Sequence, residues 1–354
     1  MTTIEATIDL GAVRRNIARV VDRIAPSKLM AVVKADAYGH GAVEVAQVAV
    51  ARGVSWLGVL DAHTGVQLRV SGIDRRVNMF AWLFAPDEDY ARLIDAGIDL
   101  GISHRHQLDR IAHSGASEPA RLHLKIDTGL HRNGSLAADW PALISHALEL
   151  QASGIVEIFG AWTHIGEASD DEDSLAIQRF EEAISVATRL GARIRVRHLA
   201  ASAAGFARAD ARFDLVRTGA FLYGIAPGGG VGPADIGIEP AMTLSAPVTS
   251  IEHHAGISTA VIAAGWLDGI PVAAAGRVDI AIAGSRFKVS TVAADSMVAV
   301  GVKQGVQVGD IATLFGPGQD GEPTLDEWAD ALGTIGEEIA VGVNPAVHRR
   351  YVAR

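Results

Sequence analysis

The sequence contains no cysteine, and this absence removes several kinds of chemistry. Without thiols the chain forms no disulfide, offers no thiolate nucleophile and holds no iron–sulfur cluster or cysteine-ligated zinc ion. A basic excess is missing as well, because 31 Lys and Arg stand against 41 Asp and Glu, which gives a net charge of −10 with neutral His. A nucleic-acid partner would require a basic surface, so the charge balance argues against one.

Long apolar runs are also absent. The stretch Ala42–Val50 is among the longest, and Glu44 and Gln47 interrupt it well short of the ~20 residues that a membrane helix requires. Residues 1–7 lack the charged start and apolar run of a signal peptide. We therefore expect no membrane partner and a cytoplasmic location.

The apolar content is nevertheless sufficient for a folded core. The 354 residues are 49% hydrophobic and 20% charged, which is the composition of a globular protein and not of a disordered one. This length suits one large domain with a smaller one.

The first two thirds of the chain alternate between short β-branched runs and longer amphipathic runs. Eight strands are predicted: Lys28–Lys34, Trp56–Leu60, Asn78–Phe84, Asp99–Ser103, Ala120–Asp127, Val156–His164, Ile194–Ala200 and Leu215–Tyr223. Most intervals show helical spacing, including Ala42–Arg52, Ala62–Ser71, Glu88–Ala96, Arg105–His113, Ala138–Gln151 and Ser174–Leu190. Strands separated by helices pair in parallel, and eight such units predict a closed (β/α)8 barrel. An open doubly wound sheet is the alternative, although it usually carries fewer units.

The pattern changes near Gly228, after which helical spacing nearly vanishes. The predicted strands there are Met242–His253, Thr259–Trp266, Val278–Ala283, Phe287–Val302 and Asp310–Phe315, and Leu325–Leu332 is the one predicted helix. The opening segment Ile4–Leu10 also has strand character, and we expect it to pair with this second, mainly β domain. The expected boundaries are residues 8–230 for the barrel and 231–354 with 1–7 for the β domain.

In a barrel of this kind the carboxyl ends of the strands meet at one mouth, where the chemistry gathers. The first predicted strand ends in Lys34, directly after the apolar residues 31–33. Partial desolvation favours the free amine, which reacts with an aldehyde to form a Schiff base. The alternative is a structural lysine whose stem lies along apolar surface with its ammonium in water.

Five further positions follow or end later strands. Ser202 and Gly219 follow strands seven and eight, where barrels commonly bind a phosphate, unless they are ordinary turn residues. Arg132 lies in a glycine-flanked loop and suits a carboxylate or a phenolate oxygen, unless it is a surface arginine. His164 and His198 each end a strand without a third ligand at a suitable spacing, so a metal site is disfavoured. A lysine, a phosphate site, an arginine and flanking histidines together fit pyridoxal 5'-phosphate.

Five segments resemble motifs of the alanine racemase family and occur in that family's order. They are Ala31–Gly41 (AVVKADAYGHG), Lys125–Gly134 (KIDTGLHRNG), Thr163–His164, His198–Ala203 (HLAASA) and Val216–Gly224 (VRTGAFLYG). The resemblance implies a (β/α)8 barrel followed by a β domain, with pyridoxal phosphate as the cofactor and alanine as the substrate. It also implies a head-to-tail homodimer in which each active site is completed by the partner's β domain.

The resemblance implies a role for each matching residue. Lys34 would carry the cofactor and act as the base on one face of the substrate carbon, and Arg132 would bind the cofactor's phenolic oxygen and the substrate carboxylate. Arg217 would contact the pyridine nitrogen with support from His198, and His164 would lie against the ring. Lys125 matches a position that can be carbamylated to orient Arg132. The cofactor phosphate would be held by Tyr38, Ser202, Gly219, Ala220 and Tyr351.

The sequence departs from the family at the second base. The family uses a tyrosine from the partner's β domain, and the corresponding segment Gly265–Gly269 carries Trp266, whose indole N–H cannot act as a base near neutral pH. Ala294, Ala201 and Ala346 also stand where the family usually has Met, Asn and Arg. Two explanations stay open. Either another group substitutes, with His253, His254 and Asp268 as candidates, or the protein is a pyridoxal-phosphate relative limited to one-base chemistry or without turnover.

Overall fold

The computed structural model describes residues 4–167, 169–254 and 256–354. The chain divides into two compact units. The first, called the barrel unit here, comprises Val20–Lys34 and Ala49–Gly219. The second, called the β unit, comprises the described residues up to Arg19, together with Ala35–Val48 and Ala220–Arg354.

The barrel unit is built on eight parallel strands, as the sequence predicts. They are β2 (Lys28–Val32), β3 (Trp56–Leu60), β4 (Asn78–Ala81), β5 (Ile98–Ile102), β6 (Ala120–Lys125), β7 (Val156–Trp162), β8 (Val196–His198) and β9 (Leu215–Thr218). The sheet runs in the order β8-β7-β6-β5-β4-β3-β2-β9. Backbone hydrogen bonds from Asp214 N–H to Arg197 C=O and from Arg217 N–H to Ala200 C=O join its two ends, so the barrel is nearly closed.

Helices occupy most of the intervals between these strands. They are α3 (Ala42–Ala51), α4 (Ala62–Val70), α5 (Tyr90–Asp95), α6 (Arg105–Ala112), α7 (Trp140–Ala152), α8 (Asp170–Arg189) and α9 (Ser202–Ala207), with α1 (Leu10–Ile24) before β2. The longest, α8, begins after Ser169, whose hydroxyl accepts the backbone N–H of Glu172. Four acidic residues in its first turn complement the positive end of the helix dipole.

The barrel interior is a packed core and not a pore. Its apolar cluster consists of Met30, Trp56, Phe80, Trp162 and Leu215. Polar side chains lie in the same interior and are almost fully buried, namely Asp99, His123, His198 and Arg217. Buried polar groups require hydrogen-bond partners, which makes this set the part of the core to examine for chemistry.

The β unit contains the second sheet. Its strands are β1 (Glu5–Asp9), β10 (Met242–His254), β11 (Ile257–Ile262), β12 (Asp279–Ile282), β13 (Ser285–Val292), β14 (Met297–Val300), β15 (Ile311–Phe315) and β16 (His348–Val352). The order is β11-β14-β13-β12-β15-β10-β1-β16, and β11 also pairs with β10. The expected pairing of the opening strand is confirmed, because β1 runs antiparallel to β10 and parallel to β16.

Several predicted elements are wrong in this unit. Phe287–Val302 is not one strand but the hairpin of β13 and β14, since the chain turns where Ala293 N–H donates to Ser296 C=O. The predicted strand Thr259–Trp266 ends at Ile262. The sequence analysis also missed β16 and a second helix, α12 (Gly336–Gly342), that follows α11 (Leu325–Leu332) and precedes the last strand. Short α10 (Pro233–Ile236) completes the unit's helices.

Most predicted barrel strands end earlier than expected, and the first and the last of them show what this changes. The first ends at Val32, so Lys34 lies beyond it, and residues 34–39 (α2, Lys34–Gly39) form a left-handed turn. The last ends at Thr218, and Ala220–Tyr223 form a 3-10 turn. In both cases the chain leaves the sheet just before the residues that carry the predicted chemistry. In the described parts of the chain, every helix is too short or too polar to cross a bilayer.

Candidate active site

Lys34 lies just beyond the carboxyl end of β2, after five buried residues. Leu29 to Val33 are each at most 6% exposed, and the Val33 N–H donates to the Gly58 C=O at 2.9 Å. Lys34 itself is half-buried. A rigid, buried strand therefore delivers one amine to the end of the barrel where active sites of this fold lie.

The residues after Lys34 adopt an unusual backbone geometry. Ala35, Asp36, Ala37 and Tyr38 have φ between 51° and 55°, which is the left-handed region. This conformation costs about 1–2 kcal/mol for each residue other than glycine, so the surroundings must hold it. Asp36 does part of this, because its carbonyl accepts the Gly41 N–H at 2.9 Å and its Oδ1 accepts the Ala42 N–H at 2.8 Å. Strain of this kind concentrates at functional sites.

Arg217 is the most extensively bonded side chain of the barrel interior. Its Nη2 donates to the carbonyls of Thr163 and Leu199 and to His164 Nδ1, each at 2.9 Å. Its Nη1 donates to His198 Nδ1 at 3.1 Å. Burial, with a smaller contribution from the Arg132 charge, lowers the pKa of Arg217 to about 9, so the guanidinium keeps its proton at neutral pH. Among the described residues, Nε of Arg217 has no hydrogen-bond acceptor.

The two histidines beside Arg217 are neutral. An arginine only donates, so both Nδ1 atoms facing it must be unprotonated acceptors. Burial and then the Arg217 charge lower the pKa of His164 to about 2. Burial and the neighbouring His123 and Arg217 hold the pKa of His198 well below its usual range. Neither imidazole therefore carries a positive charge that would repel the Arg217 guanidinium.

Positive charge accumulates around these rings. Lys125 is 4% exposed, and its Nζ lies 4.4 Å from the centroid of the Trp162 ring. Burial, followed by the charges of Arg217 and Arg132, lowers the pKa of Lys125 to about 7. The charges of Arg217, Arg132, Lys125 and Lys34 all act on His164. Such a cluster suits a ligand that carries several negative charges.

The structure also shows where the other predicted residues of the barrel unit lie. Arg132 is exposed in the loop after β6. Ser202 begins α9, and its Oγ accepts the Gly219 N–H at 3.2 Å, so these two residues are neighbours. Nearby, Glu167 Oε1 accepts the Ala204 N–H at 2.8 Å.

The remaining predicted cofactor contacts belong to the β unit. Tyr38 and Tyr223 are buried with ring centroids 5.2 Å apart, and burial raises the pKa of both phenols. Ala220 is also buried, at 7% exposure. Tyr351 is half-buried against Gly41, where any side chain would collide with its hydroxyl. Burial and the adjacent Glu44 and Asp36 charges raise the pKa of Tyr351 to about 12, so it stays a neutral hydrogen-bonding group.

Trp266 is the first residue of a 3-10 turn, Trp266–Asp268, whose backbone is firmly held. The N–H groups of Trp266 and Leu267 donate to the carbonyls of Ala293 and Ala294, both at 2.9 Å. Asp268 Oδ2 accepts the Gly265 N–H at 2.9 Å and so closes the turn. The side chains are presented outward, with Trp266 50% and Leu267 54% exposed.

The three candidates for a substitute base, Asp268, His253 and His254, do not share one environment. The Asp268 carboxylate is engaged in the turn itself, as described above. His253 is an exposed residue of β10 whose Nδ1 lies 2.8 Å from Ser258 Oγ. The side chain of His254 lies outside the part of the chain that the structure describes.

Sequence reasoning missed three side chains of the barrel interior. His123 lies 2.8 Å from His198 and 3.4 Å from Asp99, and the Trp162 ring stacks on His198 with centroids 5.6 Å apart. A signal was present, because Arg121, His123 and Lys125 alternate with apolar residues along β6 and so share one face. Within the described residues, no group of three or more His, Asp or Glu is arranged to hold a metal ion.

Comparison with known proteins agrees with this geometry. The model of the alanine racemase N-terminal domain matches residues 8–227, and that of the C-terminal domain matches residues 243–351. Alanine racemase from Frankia casuarinae is 41% identical over 98% of this chain and 96% of its own length. The enzyme from Thermobifida fusca is 40% identical over 98% of this chain and 97% of its own length.

Solved structures give the same result. Alanine racemase from a D-cycloserine-producing Streptomyces lavendulae superposes with a TM-score of 0.95 at 34% identity and covers 100% of this chain and 98% of that one. Alanine racemase from Streptomyces coelicolor gives a TM-score of 0.94 at 34% identity, with coverage of 99% and 98%. Members of this family are pyridoxal-phosphate-dependent isomerases. The chain belongs to the alanine racemase family.

Proposed function

We propose that this protein interconverts L- and D-alanine with pyridoxal phosphate bound to Lys34. The single observation that carries the assignment of the site is Arg217. A buried guanidinium that is held on Nη1 and Nη2, and for which the described residues supply no acceptor on Nε, suits a ring nitrogen that needs a hydrogen-bond donor. The cluster of cations around it suits the phosphate and phenolate of the cofactor and the substrate carboxylate.

The cofactor supplies an electron sink that makes the α-proton of an amino acid acidic. Lys34 provides the amine that links to it and then moves the proton on one face of the α-carbon. Arg217 would hold the ring nitrogen without giving up its own proton readily, which would weaken the sink and restrain side reactions. Neutral His164 would lie against the ring, and Arg132, oriented by Lys125, would bind the phenolic oxygen and the substrate carboxylate.

The phosphate contacts belong to the same proposal. Ser202 and Gly219 of the barrel unit are adjacent and offer a hydroxyl and an N–H. Tyr38, Ala220 and Tyr351 of the β unit are assigned to the phosphate by the family resemblance. The neutral phenols of Tyr38 and Tyr351 are suitable hydrogen-bond donors to it.

The proposed assembly is a homodimer in which each β domain, residues 231–354 with 1–7, completes the partner's active site. Exposed Trp266 and Leu267 support a second copy at this surface, since adjacent large apolar side chains favour contact with another protein. Sedimentation at falling protein concentration tests the assembly, and a fully active monomer would contradict it. A cytoplasmic location completes the proposal, and cell fractionation tests it.

The cofactor assignment is tested by Lys34→Ala. We expect this variant to lose the visible absorption of the purified protein, because no amine remains to link the cofactor. The wild-type protein and a Lys303→Ala variant, which changes an exposed lysine of the β unit, serve as controls. An unchanged spectrum in Lys34→Ala would overturn the assignment.

The reaction is tested by incubating the protein with L- and D-alanine in heavy water. Equal final amounts of the two enantiomers, with deuterium at the α-carbon, support racemisation. Deuterium exchange with retained configuration would instead support the one-base alternative. A yellow protein that is inert toward both enantiomers would support a cofactor carrier.

The role of position 266 is tested by Trp266→Tyr. A tyrosine there restores a phenol that can transfer a proton, and general acid–base groups contribute about 10²–10⁴-fold to rate. If the missing base limits the reaction, kcat rises in this variant, whereas Trp266→Phe leaves it unchanged. If kcat does not rise in Trp266→Tyr, the reaction is limited by another position, for example Ala294.

A further inference from the structure

Four buried polar side chains form a continuous line through the interior of the barrel unit. Arg217 Nη1 lies 3.1 Å from His198 Nδ1, and His198 Nε2 lies 2.8 Å from His123 Nδ1. His123 Nε2 then lies 3.4 Å from Asp99 Oδ2. These residues come from four strands, β9, β8, β6 and β5, and none is more than 5% exposed.

The protons along this line have only one consistent arrangement. Arginine carries no acceptor, so His198 Nδ1 must accept and His198 must carry its proton on Nε2. That proton is donated to His123 Nδ1, which places the His123 proton on Nε2. The His123 Nε2–H is donated to Asp99, which accepts as a carboxylate. Both rings are therefore neutral, and every bond points from Arg217 toward Asp99.

The surroundings fix this arrangement further. The Phe80 ring packs against both imidazoles, with centroids 4.9 Å from His123 and 5.2 Å from His198. At the far end, Arg121 Nη2 lies 3.1 Å from Asp99 Oδ2 and compensates its charge. A buried network with every member satisfied is rigid, whereas loss of one member leaves the next group unpaired.

We propose that His123 and Asp99 are positioning residues that act through His198 to hold Arg217 toward the cofactor ring nitrogen. Neither residue touches substrate or cofactor. His123 accepts the proton on His198 Nε2, and Asp99 accepts the proton on His123 Nε2, so both bonds stabilise the same His198 tautomer that leaves Nδ1 as the acceptor for Nη1 of Arg217. With Nη1 and Nη2 anchored, Nε is the donor that stays directed at the ring. This inference rests on the proposed function for its catalytic consequence, although the proton arrangement itself does not.

The first test reads the tautomers directly in the full-length protein as purified. Ring-¹⁵N-labelled histidine distinguishes a protonated from an unprotonated nitrogen, and the signals are assigned from those lost in His123→Asn and His198→Gln. We expect His198 and His123 both to show protonated Nε2 and unprotonated Nδ1. A protonated Nδ1 on His198, or a cationic His123, would overturn the proposal. This result is independent of whether Lys34 carries a cofactor.

The second test compares two substitutions at one position. Asparagine at 123 keeps an acceptor close to where Nδ1 stands but loses the bond to Asp99, whereas leucine of similar size offers neither. We expect His123→Leu to lower kcat about tenfold with KM within about twofold, as for supporting residues behind a catalytic group, and to shift the visible absorption maximum. His123→Asn should retain the His198 tautomer and lose less of kcat than His123→Leu, because only the bond to Asp99 is missing.

Met30→Ala is the control for packing alone. Met30 belongs to the same apolar cluster and is fully buried, but it is not a member of the polar line. We expect it to lower stability while the absorption maximum and the His198 tautomer stay as in the wild type. Equal losses of kcat in His123→Leu and His123→Asn, or the same spectral shift in Met30→Ala, would overturn the proposal. Should His123→Leu fail to fold, Asp99→Asn replaces it, with the tautomer ratio of His123 as its readout.

Discussion

The barrel interior and the turn Gly265–Gly269 both contain candidate functional residues, but the first fixes their side chains and the second fixes only the backbone. In the barrel, the side chains themselves are fixed, since Arg217 is bonded through both terminal nitrogens and flanked by neutral histidines. In the turn, the backbone is fixed by Ala293, Ala294 and Asp268, while Trp266 and Leu267 are presented outward. The barrel therefore fixes its candidate side chains within one chain, whereas the turn leaves the side chains of Trp266 and Leu267 accessible.

The largest expected effect is a loss of stability when a side chain of the barrel interior is removed. Trp162 is 3% exposed and stacks on His198, so Trp162→Ala removes a large buried ring and leaves a cavity. We expect the free energy of unfolding to fall by about 3–5 kcal/mol. Urea denaturation measures this loss, and a loss below about 1 kcal/mol would show that the interior is not packed as described.

The second prediction concerns the backbone of the turn. Gly269 has φ of +95°, and a Cβ there would collide with the carbonyl of Gly342. We expect Gly269→Ala to destabilise the protein by about 3 kcal/mol, because unfavourable φ and a backbone collision add. Gly276→Ala is the matched control, since Gly276 has φ of +76° but open space around it, and it should cost only about 1 kcal/mol. Equal losses of stability in the two variants would mean that the backbone at Gly342 moves away from the added methyl group.

The third prediction uses a buried histidine of the β unit. Burial lowers the pKa of His40 to about 4, whereas its unfolded value is near 6.5. Below pH 6.5 the unfolded chain takes up a proton that the folded chain does not, so stability is lost as the pH falls. Between pH 6.5 and 5.5 this group contributes about 1 kcal/mol of that loss.

His40→Asn removes this contribution while keeping a donor for the Ala37 and Tyr38 carbonyls that His40 Nδ1 contacts. The variant should therefore lose less stability over this pH interval than the wild type, as measured by thermal unfolding. His113→Gln, at an exposed position, controls for the change in histidine number. The prediction fails if the wild type and His40→Asn have parallel pH curves.

The smallest expected effect on stability is that of a substitution in the turn Gly265–Gly269. Trp266 is half-exposed, so Trp266→Ala should change the stability of the chain by less than about 0.5 kcal/mol. The contrast with Trp162→Ala separates a side chain that holds the fold from one that serves a contact. A larger loss that depends on protein concentration would show that a second copy covers Trp266.

Much of the fold was readable from the sequence because each barrel strand is a short apolar run bounded by a helix. The hairpin of β13 and β14 was not, since residues 287–302 are β-forming on both sides of a short turn and the turn carries no glycine or proline. The left-handed turn after Lys34 was also invisible, because Ala-Asp-Ala-Tyr has no local preference for that geometry. Contacts that exist only in the folded chain hold it, including those of Asp36 with Gly41 and Ala42.

The candidate site was predictable to the extent that its residues follow strands in the sequence. Lys34, His164 and His198 are predicted in this way, because strand ends converge, whereas the predicted role of Arg217 comes from the family resemblance. The bonds from His123 to Asp99 and His198 were not predicted, since they join residues of different strands that lie 24 and 75 positions apart in the chain. Which side chains meet inside a barrel depends on strand register, and a single sequence does not give that register.

The turn at residues 35–38 has a stereochemical consequence. Its backbone angles are those that a D-amino acid adopts at ease, because the left-handed helix is the mirror image of the right-handed one. A semisynthetic chain with D-alanine at positions 35 and 37 would have less backbone strain in this stretch, whereas valine or isoleucine there would increase the strain. The segment that follows Lys34 is thus strained with any genetically encoded residue other than glycine.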